Sequence, residues 1–173
     1  MIVNLEKVAK LRSSIEAAWA DAEIPSCERA FDLVIQEDEV AKEYFCGRSW
    51  RDVDFNDPRA VPSMRCFSSY GLRYYIAAFL MGCLAVEDDV RISRPCFGDV
   101  VLLATFDVFF CSTDALQRIH EATKDQVGCI IATAVFIWRE NQSFYQPGSL
   151  DFETSERHEA ILRWQEAWAH WPA

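Results

Sequence analysis

The chain lacks an apolar run long enough to cross a bilayer. A spanning helix needs about 20 apolar residues. The best candidate here, the sixteen residues from Gly71 to Val86, contains Arg73 and is followed directly by Glu87, Asp88 and Asp89. No membrane partner is therefore expected. The first residues, MIVNLEKVAK, bring in charge before any apolar stretch could form, which predicts no signal peptide and a cytoplasmic chain. Positive charge is also scarce. With 17 basic against 27 acidic residues the net charge is -10, so electrostatics oppose nucleic acid and anionic surfaces as partners, and a basic protein is the natural complement.

Phosphate cradles are missing as well. The glycines at 47, 71, 82, 98, 128 and 148 never gather into a Gly-rich loop, so no nucleotide fold is implied. Two fragments, HEATK at 120 to 124 and HEAIL at 158 to 162, start like a zinc-protease helix. The second His, one turn on, is replaced by Lys124 and Leu162, so two imidazoles cannot reach one metal. The di-iron pattern needs Glu three residues before each His, and Gln117, Ser155 and Ala167 stand there. No metal, cofactor or catalytic residue is assigned. Seven cysteines, at 27, 46, 66, 83, 96, 111 and 129, are an odd, scattered set without CxxC. They read as reduced thiols, several serving as small apolar side chains.

What the chain does have is helical periodicity. It is 173 residues long and 51% hydrophobic, enough for the core of one domain. Leu5, Val8, Leu11, Ile15 and Trp19 recur at three and four, with Asn4 as cap, which predicts a helix over about 5 to 22. A second helix is expected near 37 to 46, with Val40 and Tyr44 on one face and Gly47 closing it. The stretch from Gly47 to Arg65 reads as a loop anchored by Trp50 and Phe55. Ser68 or Ser69 then caps a central helix over about 69 to 86, apolar on nearly every side. Residues 97 to 111 fit either a buried strand or a buried helix, and helix is preferred. Thr123 and Gln126 form a capping box ahead of a second buried helix over about 124 to 139. Residues 143 to 153 read as a loop, with a turn at Pro147 and Gly148. The last helix that follows carries Trp164, Trp168 and Trp171 on one face, to be covered by this chain or by a second copy. The expected fold is mainly α: one compact multi-helix domain with two buried apolar helices.

Arg73 inside an apolar helix needs a carboxylate or helix-end carbonyls, and one of Tyr74 and Tyr75 should turn its ring inward with its hydroxyl paired. The alternative is an anion-recognising pocket formed by Arg73, Tyr74 and Tyr75. The acidic runs Glu37, Asp38, Glu39 and Glu87, Asp88, Asp89 read as solvated helix ends or as partner-binding residues. Asp88 and Asp89 would face an unfavourable helix dipole, which points to an external cation.

AKEYFCGRSWRDV, FSSYGLRYYIAAFLMGCL and ATKDQVGCIIATAVFIWRE together resemble a bacterial family of unknown function. Its motifs are F-x-G-x-x-W, matched by Phe45, Gly47 and Trp50; R-Y-Y-x-x-A-F-L, matched by Arg73, Tyr74, Tyr75, Ala78, Phe79 and Leu80; and T-x-x-Q, matched by Thr123 and Gln126. The resemblance runs from about residue 11 to 140. It departs at Ala77, where members commonly have Pro, and in the Trp-rich tail after Ser143. It implies a mostly helical fold and a likeness to the small acidic antitoxin or immunity proteins found beside bacterial toxins. The expected function is non-enzymatic: an acidic immunity-type protein occluding a basic toxin such as a nuclease. The alternatives are a small-molecule enzyme or sensor using the Arg73 pocket, and a homodimer closed through Trp164, Trp168 and Trp171.

Overall fold

A computed structural model describes residues 4–31, 39–55, 57–60, 64–85, 100–141 and 150–172. Among these residues there are eight α-helices: α1 Leu5–Ala18, α2 Cys27–Ala30, α3 Glu39–Phe45, α4 Ser69–Cys83, α5 Val100–Cys111, α6 Ala115–Arg118, α7 Lys124–Asn141 and α8 Leu150–Ala169. The only pairing of extended backbone among them is an isolated antiparallel bridge between Phe31 and Phe67. The mainly α expectation holds, and the ambiguous run resolves as helix from Val100 onward.

Local signals set the helix starts. Asn4 accepts from the Lys7 N–H at 3.0 Å at the start of α1. The Ser68 hydroxyl accepts from the Gly71 N–H at 3.0 Å at the start of α4. Thr123 and Gln126 close their capping box at 3.1 and 3.3 Å, each side chain meeting a donor that a helix start leaves orphaned. Gly47, past the end of α3, has φ of +69°, the left-handed conformation that ends helices and that glycine adopts at little cost.

α4 is the hub, packing against α1, α2, α5 and α7, while α7 also meets α1 and α8. Leu72, Tyr75, Ala77, Phe79, Leu80 and Cys83 have no exposed surface, consistent with a helix apolar all round. Its N-terminal end is held by α2: the Ser68 N–H donates to the Ala30 carbonyl at 3.0 Å and the Ser68 hydroxyl donates to the Arg29 carbonyl. This contact leaves no room for a side chain at Gly71, where an added Cβ would lie 2.0 Å from the Ala30 oxygen.

Some expectations are corrected. α1 stops at Ala18 rather than 22, because Trp19 turns its ring into the core and leaves the helix path. Val40 does not share the buried face of α3; it is exposed, and Ala41, Tyr44 and Phe45 are the inward residues. α8 begins at Leu150, inside the stretch read as a loop over 143 to 153. Cys27 and Cys46 are not reduced thiols but a disulfide with Cα atoms 5.0 Å apart, a normal span for such a bond. The proposed turn at Pro147 and Gly148, and Cys96, lie outside the described residues.

Two of the helical glycines, Gly71 and Gly128, should respond oppositely to alanine. Gly71→Ala forces backbone apart and should cost about 2 kcal/mol or more. Gly128→Ala places its Cβ at 3.4 Å from the Trp168 indole nitrogen, an ordinary contact, and should gain about 0.5–1 kcal/mol from reduced chain entropy. Urea denaturation of both variants checks the pair; a neutral Gly71→Ala would refute the close approach of α2 to α4.

Candidate functional site

The motif residues converge on the junction of α3, the following turn and α4. The Tyr75 hydroxyl donates to the Phe45 carbonyl at 2.5 Å and lies 3.2 Å from that of Arg48. These are carbonyls at and just beyond the end of α3, and that of Phe45 also accepts from the Arg48 N–H at 3.0 Å. The Tyr74 hydroxyl accepts from the Trp50 N–H at 3.4 Å. Phe45 and Tyr75 meet edge to face with ring centres 4.9 Å apart, and Phe67 and Phe79 complete the cluster. Burial, and secondarily Tyr74, raises the Tyr75 phenol above its ordinary range, so it remains a hydrogen donor.

Arg73 points elsewhere. Its guanidinium donates to the Glu121 carbonyl at 3.0 Å, in the turn that precedes α7. Arg73, Tyr74 and Tyr75 thus do not share a pocket: the two phenols lie under the α3 turn, and the arginine ties α4 to the start of α7. Gln126 also reaches outward from its capping box, donating through Nε2 to the Ala18 carbonyl at 3.1 Å, the last residue of α1. All three motifs therefore act on helix ends.

The same chemistry recurs around the core. Arg118 donates to the Met64 and Phe67 carbonyls at 2.8 and 2.9 Å. Arg163 donates to those of Cys111 and Ser112 at 3.0 and 3.2 Å, at and just beyond the end of α5. The C-terminal indoles behave alike: Trp164 donates to Phe110, Trp168 to Lys124 and Trp171 to Ala122, at 3.0, 3.0 and 2.7 Å. Trp164 is fully buried and stacks on Phe110 at 4.6 Å. The face of Trp164, Trp168 and Trp171 is thus engaged by its own chain, leaving Trp168 substantially exposed at 41%.

One half-buried network was missed from sequence. Asp107 of α5 receives a bidentate contact from Arg157 of α8, with Nη2 at 2.7 Å, and the Trp138 indole N–H of α7 at 3.0 Å. It joins three helices with a charge-assisted pair that is largely shielded from water. The signal was present, since Asp107 is the one charge in the run from Val100 to Cys111. The neighbouring Cys111 thiol is pushed up to about 11 by burial and by Asp107, and burial raises Cys129 to about 11. Neither thiol has the thiolate character of a nucleophile.

Of the acidic residues assigned to partner binding, Glu39 opens α3 and is exposed. With Lys42, Glu43 and the disulfide it lines an open depression of about 390 Å³. Glu37, Asp38, Glu87, Asp88 and Asp89 lie outside the described residues. No family model, curated protein or solved structure matches this chain.

Two variants separate structural from ligand roles. Tyr75→Phe removes the donor from the end of α3 and should cost about 1–2 kcal/mol. It should also blunt the loss of stability above pH 10, where the unfolded phenol ionises and the folded one, with its raised pKa, resists. Arg73→Ala should leave a folded protein weakened by about 1 kcal/mol. Urea melts across pH 7 to 11 read both; an unchanged Tyr75→Phe midpoint would contradict the carbonyl contact.

A further test concerns Ala77. A proline there would leave the Arg73 carbonyl without its helical donor, yet the Trp19 indole already donates to that oxygen at 2.8 Å. Ala77→Pro should therefore cost about 1–2 kcal/mol more in a Trp19→Phe background than in the native chain. A double-mutant cycle with no coupling would discard this explanation of how the position admits Pro.

Proposed function

We propose that the protein is a non-enzymatic acidic binding protein of the immunity type, which occludes a basic toxin such as a nuclease. The observation that carries this reading is an asymmetry in how the fold uses charge. Arg48, Arg73, Arg118 and Arg163 are drawn partly inside and donate to main-chain carbonyls. Those contacts consume cations without consuming carboxylates. Glu23, Glu28, Glu39, Glu43, Asp52, Glu121, Asp125 and Glu166 remain exposed, in a chain whose net charge is -10.

Arg73, Tyr74, Tyr75, Thr123 and Gln126, meanwhile, each make a side-chain hydrogen bond to the protein's own backbone. This supports recognition through the surface over recognition through an Arg73 pocket. A protein that contacts phosphate must be basic where it does so, and an acidic surface can meet it with steered association and charge-assisted contacts.

The test is kinetic. With a basic partner captured at low salt and then purified, the association rate should fall about tenfold or more between 20 and 200 mM salt. Charge reversal of Glu39 and Glu43 should lower it further while leaving the melting temperature nearly unchanged. An association rate indifferent to salt would remove the acidic surface as the recognition element.

A further inference from the structure

We propose that Cys27 and Cys46 form a reversible thiol–disulfide switch that fastens α2 to the end of α3. It stands independently of the acidic-surface reading. Three observations carry it. The two residues come from different elements, 19 positions apart in sequence, with Cα atoms 5.0 Å apart. Both are only partly buried and line the open depression with Glu39, Lys42 and Glu43, so a small thiol or disulfide can reach them. Most decisively, each side of the bond is anchored without it. α2 is held on α4 through the Ser68 contacts to Arg29 and Ala30 and through the Phe31–Phe67 bridge. The end of α3 is held by the Tyr75 hydroxyl on Phe45 and Arg48.

A bond whose two ends are independently docked can open without unfolding the core, and the two sulfurs stay close enough to rejoin. Exposed disulfides of this kind are the labile ones, whereas buried structural bonds resist reduction. The buried thiols contrast with the pair: Cys66, Cys83 and Cys129 are enclosed in the core and shielded from exchange.

The co-reactant is a small disulfide such as oxidised glutathione. One cysteine thiolate attacks a glutathione sulfur, forming a mixed disulfide and releasing one glutathione thiolate. The other cysteine thiolate attacks the mixed disulfide, closing Cys27–Cys46 and releasing the second glutathione. One disulfide is reduced for each one formed, and the two thiol protons pass to the released thiolates or to solvent. Excess reduced glutathione runs the exchange backward.

The experiment uses the full chain equilibrated in glutathione buffers of stepped reduced-to-oxidised ratio, alkylated before and after complete reduction with reagents of different mass, and mapped by peptide mass spectrometry. Cys27 and Cys46 should pass together from alkylated to linked across the series, and back when the ratio is reversed. The linked form should melt about 6–12 °C above the open one, from closure of a loop of this length in the unfolded chain. Cys46→Ser, or Cys27→Ser should the first fail to fold, should melt like the open form at every ratio. Free alkylation of either cysteine at the most oxidising ratio, a bond that survives the most reducing one, or coincident melting of the two forms would each overturn the switch.

Discussion

Carbonyl groups at the ends of packed helices govern this structure. An α-helix leaves its last carbonyls without intrahelical donors, and when such an end is pressed into a core, water cannot make up the loss. A bundle of short helices has many such ends. Here donors arrive from distant side chains: Tyr75 for α3, Gln126 for α1, and Trp164 and Arg163 for α5. A buried carbonyl left without any donor would cost about 1–3 kcal/mol, and each contact fixes where one helix ends relative to another. The carbonyl end of a helix also carries partial negative charge, so arginine is well suited to the task.

This requirement accounts for the composition. Arg, Tyr, Gln and Trp are the side chains long enough to donate across an interhelical gap while burying an apolar body. Of the six tryptophans, five place their indole N–H on a partner: Trp19, Trp164, Trp168 and Trp171 on main-chain carbonyls and Trp138 on Asp107. Carboxylates cannot serve at these ends, since they only accept, and they are left outside. Asp107 is half-buried, where Arg157 and Trp138 converge on it. An acidic surface is then partly a by-product of how the core is closed.

What could be read from sequence follows the reach of each interaction. The caps at Asn4 and Ser68, the box of Thr123 and Gln126, and the left-handed Gly47 all act within about four residues, so their patterns are local. The central helix was legible because burial on every side removes the need for a polar face. The Asp107–Arg157 pair spans 50 residues and the Cys27–Cys46 pair 19; nothing near either end names its partner. The indole face was recognised as needing a cover, but Phe110, which supplies it for Trp164, lies 54 positions away. Short α3 misled for a different reason: over seven residues, two apolar positions four apart do not establish which side is inward.

The positions that carry the resemblance now have a physical account. Phe45, Gly47 and Trp50 build the turn that Tyr74 and Tyr75 clasp, while Thr123 and Gln126 start α7 and hold the end of α1. Trp19 donates to the same carbonyl that a Pro at 77 would leave without a donor. Motifs made of such residues transmit a packing arrangement, because a change in one member strands a polar group in another. Their polar side chains, the Trp50 indole apart, are already bonded within the chain, so what they specify directly is packing.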